Sequence, residues 1–197
     1  MINDIYVFDD IIEKDYQNKI EDLMFGPKCN WFYQSDVTKP IDNVQARPGF
    51  SHHFFVKDVG ESSDHHQFLL PLIRQSVNKI NFKHKDILQG RSFLQLPLNL
   101  KDRHIVDTPH IDATIPHLVV LYYVIDNEAE TIIYENKFEG GNYDRLPIKK
   151  DLIIKQKVKP KKGRVVMFNG FHWHTAEQPE HNVRCIINYN VIWTKLY

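Results

Sequence analysis

The feature that most constrains this chain is a series of short segments with the alternating pattern of β-strands, which fills its C-terminal half. In residues 91–100, for example, Phe93 and Gln95 alternate with Leu94 and Leu96. Successive side chains of a strand point to opposite faces, so each such segment predicts a strand. The predicted strands are 91–100, the segment around His110, 118–125, 131–134, 152–158, 164–168 and 183–193. Short strands separated by turn residues favour an antiparallel double-stranded β-helix of the jelly-roll type.

Two predicted helices precede these strands. Residues 12–24 carry Tyr16, Ile20 and Met24 at helical spacing, and Gly26-Pro27 ends that helix. A second helix starts after Ser62-Ser63-Asp64 and has a broad apolar face. Short strands are predicted at 5–8 and 50–56. We therefore expect a mainly β protein with supporting α-helices. We also expect a single domain over 1–197, in which 1–90 form a support region and 91–197 form the core.

The composition limits the partners that such a chain can have. Among 197 residues, 42% are hydrophobic, which is enough for one well-buried core. Lys plus Arg and Asp plus Glu number 25 each, so no overall field attracts nucleic acid or an anionic membrane. The sequence has neither a signal-peptide pattern nor an apolar stretch of membrane-span length. Its two cysteines fit no Cys-x-x-Cys spacing, and we expect a cytoplasmic protein.

A possible metal site begins in the stretch Thr108-Pro109-His110-Ile111-Asp112. On an extended strand, residues i and i+2 point to the same face, so His110 and Asp112 could hold one ion together. A third ligand could come from Phe171-His172-Trp173-His174, which offers two histidines. Two His and one carboxylate with open positions is the arrangement of non-haem Fe(II) oxygenases. The plainer interpretation is a hydrogen-bonded pair at a strand end, with Arg184 in a buried salt bridge.

The order of these motifs resembles that of the 2-oxoglutarate/Fe(II)-dependent dioxygenase superfamily, most closely its prolyl-hydroxylase-like branch. The resemblance covers about residues 93–193 and consists of His-x-Asp, a distant His and then an Arg on the next strand. It includes Leu121-Tyr122-Tyr123-Val124 after the first motif and residues 163–168 before the last His. The chain departs from the pattern at 126–131, where the family often has a Gly-Gly-acidic turn, and at Ile186, where many relatives carry Ser.

The resemblance implies an enzyme that uses Fe(II), 2-oxoglutarate and O2, in which His110, Asp112 and His174 bind the metal. It implies that Arg184 binds the far carboxylate of 2-oxoglutarate, because a guanidinium forms a planar fork matched to a carboxylate. Tyr123 would supply the hydrogen bond for which Ser is missing, and Asn188 lies on the same strand face as Arg184. The reaction implied is hydroxylation of an unknown peptide side chain or small molecule, with decarboxylation of 2-oxoglutarate to succinate.

Other interpretations remain open at this point. A non-catalytic jelly-roll module that binds a metal for structure or sensing is the main alternative, and it would have no need of Arg184 with Tyr123. A zinc hydrolase on the same ligands is disfavoured because no general base is evident beside the motif. His117 is expected at the surface or supporting a ligand rather than binding metal. The basic stretch 149–164 favours a solvated hairpin over a rim for acidic substrates.

Overall fold

The structure is a computed structural model that describes residues 5–37, 47–98, 106–140 and 151–195. Residues 99–100 of the predicted strand 91–100 and residues 149–150 of the basic stretch lie outside the described residues. The helices are α1 (Lys14–Phe25) and α2 (His65–Lys79). The strands are β1 (Tyr6–Asp9), β2 (Phe32–Gln34), β3 (Gly49–Val56), β4 (Gly60–Glu61), β5 (Phe82–Gln95), β6 (Leu118–Tyr123), β7 (Thr131–Lys137), β8 (Ile154–Val158), β9 (Arg164–Asn169), β10 (His172–Ala176) and β11 (Arg184–Lys195).

Most of these strands form one large antiparallel sheet. Its order in the described residues is β1-β9-β6-β11-β5-β3-β2, and β4 pairs with the end of β3. The long strand β11 lies inside the sheet, where it pairs with β5 along its whole length and with β6 over its first half. The side chains of β11 therefore meet those of β5 and β6 on both faces.

A smaller antiparallel sheet has the order β10-β7-β8. An isolated antiparallel bridge between His110 and His174 attaches the segment before β6 to the free edge of β10. The small sheet therefore contains His174, on β10, and has His110 paired at its edge.

Two apolar clusters show how the layers pack. On one face of the large sheet, Leu69 and Ile73 of α2 pack in a buried cluster with Ile187 and Tyr189 of β11. On the other face, Leu121 of β6 packs with Ile133 of β7 and with other residues of both sheets. The fold is thus mainly β, with two sheets packed face to face and helices on the outer side of the larger one. This is the predicted jelly roll with supporting helices.

The largest difference from the predicted elements is in β5, which begins at Phe82 rather than at Arg91. The added part carries exposed Lys83 and Lys85, so its apolar signal is weak. It is a strand because it pairs with the second half of β11, from Val191 onward. The expected division after residue 90 therefore falls inside a strand. None of the helices in the described residues has the length and apolar character needed to cross a membrane.

Candidate active site

His110, Asp112 and His174 come together between the two sheets. The peptide groups of His110 and His174 are paired, with N···O distances of 2.9 and 3.0 Å. Asp112 follows His110 by two residues, so its carboxylate reaches the same place. One ligand atom from each of the three side chains lies within 4.8 Å of the other two. The described residues contain no other such group of three His, Cys, Asp or Glu side chains.

Hydrogen bonds orient both imidazoles. Nδ1 of His110 lies 3.1 Å from the carbonyl oxygen of Thr108, and Nδ1 of His174 lies 3.0 Å from that of His172. A carbonyl only accepts, so each Nδ1 carries a proton, and in the neutral form of each imidazole the lone pair lies on Nε2. The Nε2 atoms of His110 and His174 lie 3.9 and 3.7 Å from the Asp112 carboxylate oxygens. These distances are too long for hydrogen bonds, and they suit an ion with metal–ligand distances of about 2.0–2.2 Å placed between the atoms.

The side chain of Asp112 is fully buried. Nη2 of Arg91 donates to its Oδ1, and Nδ2 of Asn188 donates to its Oδ2 over 3.0 Å. Burial alone would raise the pKa of Asp112, but the charges of Arg91, His174 and His110 and the hydrogen bond from Asn188 outweigh burial and hold the pKa below its usual range. Asp112 is therefore ionised at neutral pH, the form that binds a cation.

His174 has the opposite requirement. Its burial, together with the neighbouring His110, lowers the pKa of His174 to about 4, although Asp112 acts in the other direction. The imidazole is therefore neutral at pH 7 and can donate the lone pair of Nε2. An anionic oxygen and neutral imidazole nitrogens are donors that Fe(II) accepts, so the residues present fit the metal implied by the sequence.

Arg184, at the start of β11, is almost fully buried, with 2% of its surface exposed. Its Nε donates to the carbonyl oxygen of Ala129 over 3.2 Å. Its Nη1 donates to Oε1 of Gln95, and its Nη2 donates to Oγ1 of Thr131, both over 2.7 Å. These three bonds, made to described residues, use three of the five N–H groups of the guanidinium and leave one N–H on each terminal nitrogen outside them. All three acceptors are uncharged.

Gln95 links Arg184 to a buried ion pair. Its Nε2 donates to Oδ2 of Asp107 over 2.9 Å, and the other oxygen of Asp107 accepts from Nη1 of Arg47 at 2.5 Å. The side chains of Arg47 and Asp107 are 5% and 2% exposed. Among the described residues, Asp107 is the one carboxylate hydrogen-bonded in this network, and it pairs with Arg47. The acceptors of Arg184 are neutral, which favours an anionic ligand beside its guanidinium.

One pocket contains both halves of the site, and it encloses about 70 Å³. Its polar lining includes His110, His174, Arg91, Arg184, Thr131 and Asn188. Its apolar lining includes Phe93, Leu121 and Ile186. We call this space the central pocket.

The other sequence-predicted residues lie around this pocket in different ways. Tyr123 is buried, and its hydroxyl donates to Oγ1 of Thr131 over 2.7 Å, so that Thr131 lies between Tyr123 and Arg184. Asn188 lines the pocket and contacts Asp112. His172 lies outside the triad, with its Nδ1 2.6 Å from the carbonyl oxygen of Tyr134. His117 is buried rather than exposed, and its Nδ1 lies 2.7 Å from the carbonyl oxygen of Ile115.

The sequence interpretation missed four polar residues of this pocket, namely Gln95, Thr131, Arg91 and Asp107. Gln95 was assigned to a strand, and Thr131 was the first residue of another, but no motif marked either of them. The available signal was a polar residue at an inward position of a buried strand, since such a group needs a partner. Their partners come from strands far away in the sequence, and only the sheet registers identify them.

No protein-family model matches the sequence, and no curated protein matches it either. Solved structures do match. An oxidoreductase of the 2OG-Fe(II) oxygenase family from Burkholderia pseudomallei is similar with a TM-score of 0.65 and 11% identity, over 95% of this chain and 84% of that chain. A prolyl hydroxylase from Trichoplax adhaerens, in complex with a hypoxia inducible factor peptide fragment, has a TM-score of 0.60 and 11% identity, over 96% and 84%. The carbocyclase SnoK from nogalamycin biosynthesis has a TM-score of 0.62 and 13% identity, over 97% and 81%. The resemblance seen in the motifs is thus confirmed at the level of the fold.

Proposed function

We propose that this protein is a 2-oxoglutarate- and Fe(II)-dependent dioxygenase that hydroxylates a peptide side chain or a small molecule. The observation that carries the proposal is that His110 and His174, two members of the His-Asp-His group, line the same pocket as the buried Arg184. A structural metal site saturates its ion with protein ligands and has no need of a carboxylate fork nearby. The proposal also agrees with the shared fold of the 2OG-Fe(II) oxygenases.

In this proposal, His110, Asp112 and His174 hold the metal and leave positions open for ligands. When bound, Fe(II) supplies the activation of O2 and the oxidising chemistry, in which 2-oxoglutarate is decarboxylated to succinate. Asp112 contributes the single negative charge among the protein ligands. Thr108 and His172 fix the tautomers of the two imidazoles through their carbonyl groups, so that both Nε2 atoms are ready to bind.

Arg184 would bind the far carboxylate of 2-oxoglutarate with the N–H groups left on its terminal nitrogens. Gln95, Thr131 and the carbonyl of Ala129 hold the guanidinium in place before the ligand arrives. Tyr123 would supply a second hydrogen bond to the same carboxylate, and its hydroxyl lies beside this site because it bonds to Thr131, the neighbour of Arg184. Asn188 would orient Asp112 and line the space that the co-substrate occupies.

The substrate would approach over His110, because the side chain of His110 is 32% exposed whereas that of His174 is 6% exposed. Arg91 lies on the same open side, with 20% of its side chain exposed. Both substrate classes occur among the structural neighbours, since one was solved with a peptide fragment and another acts in nogalamycin biosynthesis. The apolar walls formed by Phe93, Leu121 and Ile186 would exclude water from the reacting groups.

We also propose that the chain 1–197 works as a single domain. Its N-terminal strands belong to the same large sheet as the strands of the site, since β1 pairs with β9 and β3 pairs with β5. The support region and the core therefore share one sheet, and separating them would expose strand edges.

The test is anaerobic addition of Fe(II) and 2-oxoglutarate to the full chain. We expect the weak visible charge-transfer band of a chelate and, after admission of air, formation of succinate even before the substrate is known. Asp112→Ala is the matched negative control. Folded, metal-loaded protein that gives neither the band nor succinate would favour the non-catalytic metal-binding module.

A further inference from the structure

Among the residues that the structure describes, Arg91 is the one charged neighbour of the His-Asp-His group to which the proposed function gives no chemical role. It lies on β5 directly across from Asn188 of β11. These two side chains donate to different oxygens of Asp112, Arg91 to Oδ1 and Asn188 to Oδ2. The carboxylate is therefore held at both oxygens, once by a cation and once by a neutral amide.

The charge of Arg91 opposes the binding of a metal on its own. Asp112 has one negative charge and is fully buried, and the cation of Arg91 already neutralises it. A divalent ion bound to Asp112 would share that carboxylate with the guanidinium. The two positive groups repel each other, and solvent screens the repulsion little in a buried site. Asn188 orients the same carboxylate without this cost.

A bound dicarboxylate reverses the effect of Arg91 on metal binding. Arg91 lines the central pocket together with Arg184. The buried Nε of Arg91 has no hydrogen-bond acceptor among the described residues. An anion in the pocket is attracted by Arg91 and offsets its repulsion of the metal.

We propose that Arg91 is a positioning residue that couples the two ligands, weakening the binding of the metal alone and strengthening the binding of metal and 2-oxoglutarate together. This inference rests on the proposed function, because it takes His110, Asp112 and His174 as the metal ligands. Thermodynamic linkage makes the coupling reciprocal, so Arg91 also raises the factor by which a bound metal increases the affinity for 2-oxoglutarate.

The experiment measures the dissociation constant of Mn2+ by calorimetry, without and with saturating 2-oxoglutarate, for the wild-type chain 1–197 and for Arg91→Met. We expect the variant to bind Mn2+ alone about tenfold more tightly or better, and to lose about tenfold or more of the enhancement by 2-oxoglutarate. Arg91→Lys keeps the charge and should stay close to wild type in both quantities. Arg74→Met, at an exposed position of α2, is the matched control for loss of an Arg and should change neither.

Asn188→Ala separates charge from orientation. It removes the other hydrogen bond to Asp112 and no charge, so Mn2+ alone should bind more weakly while the enhancement by 2-oxoglutarate persists. If Arg91→Met fails to fold, Arg91→Gln carries the same test, because it removes the charge and keeps a donor for Asp112.

The outcomes are distinct. If wild type binds no Mn2+, or Asp112→Ala binds it as tightly, the proposed function and this inference fail together. If wild type binds both ligands and Arg91→Met binds Mn2+ alone no more tightly, or keeps the full enhancement, the coupling role of Arg91 is refuted and the proposed function stands.

Discussion

Replacing Arg184 by alanine should remove most of the affinity for 2-oxoglutarate while leaving the metal in place. The guanidinium is buried and held by three neutral acceptors, and it offers the carboxylate a charge and the N–H groups that remain on its terminal nitrogens. A buried carboxylate that loses such a partner stays desolvated and unpaired, which costs about 2–5 kcal/mol of binding free energy. At about 1.4 kcal/mol per factor of ten, the dissociation constant should rise by one to several orders of magnitude.

The same substitution has a cost in stability that must be measured separately. Without Arg184, the oxygens of Ala129 and Gln95 lose this donor, whereas Oγ1 of Thr131 keeps the hydrogen bond from Tyr123. Each buried group left unsatisfied costs about 1–3 kcal/mol unless water replaces the donor. A domain has only about 5–15 kcal/mol of unfolding free energy, so the variant must first be shown to be folded. Arg184→Lys keeps the charge and gives up the fork, so its affinity should lie between those of wild type and Arg184→Ala.

The assay is anaerobic titration of the three proteins with 2-oxoglutarate in the presence of Fe(II), after circular dichroism and thermal unfolding have established their folding. Metal affinity is the internal control, because none of the three proposed metal ligands hydrogen-bonds to Arg184 among the described contacts. If folded Arg184→Ala binds 2-oxoglutarate as tightly as wild type, Arg184 has a structural role only, and the proposed function loses its main support outside the triad.

Three further predictions can be checked with single variants. His174→Ala should abolish iron binding and His172→Ala should reduce turnover at most, because His172 lies outside the triad. The iron content of both variants tests this, and iron lost from His172→Ala but retained by His174→Ala would reverse the assignment. Asp112→Ala should end succinate formation, since two neutral imidazoles offer no charge to offset Fe(II), and full succinate production would show that the carboxylate is dispensable. Hydrogen bonds from Arg164 and Lys161 lower the pKa of Asp9 to about 2, below its ordinary 3.8, so the stability that Asp9 contributes is complete above pH 4 and is lost as the pH falls toward 2. In urea unfolding, the small difference between wild type and Asp9→Asn should therefore shrink over that range, and a difference that does not depend on pH would contradict the argument.

Alternation along β11 shows how far the sequence alone could lead. Once Arg184 was assumed to point inward, Ile186 and Asn188 had to follow it, while Ile187 and Tyr189 had to pack on the other side. The structure confirms this, because the first three line the central pocket and the last two belong to the cluster that faces the helices. A strict period of two, read on one strand, needs no tertiary information.

The contacts made across strands could not be predicted in this way. The hydrogen bond of Tyr123 to 2-oxoglutarate stays a prediction, whereas the hydrogen bond of its hydroxyl to Thr131, which accepts from Arg184 as well, was not predicted from the sequence. The pairing of Gln95 with Arg184 depends on the register between β5 and β11, which no local pattern encodes. For the same reason, Arg91 could not be recognised as a partner of Asp112. The sequence therefore predicted the triad and the strand faces better than the hydrogen bonds around them.

The position of β11 within the large sheet also affects how the chain can fold during synthesis. This strand, Arg184–Lys195, is the last of the described strands, yet it lies between β5 and β6 and joins the two sides of the sheet. Until the ribosome has released it, β5 and β6 each have an edge without its partner, and the early segment β1–β3 has no complete sheet to join. Such long-range pairing slows folding and leaves intermediates with exposed edges. Nascent chains of this protein should therefore depend on chaperones more than a helical protein of equal length, and stalling synthesis before Arg184 should leave them sensitive to protease.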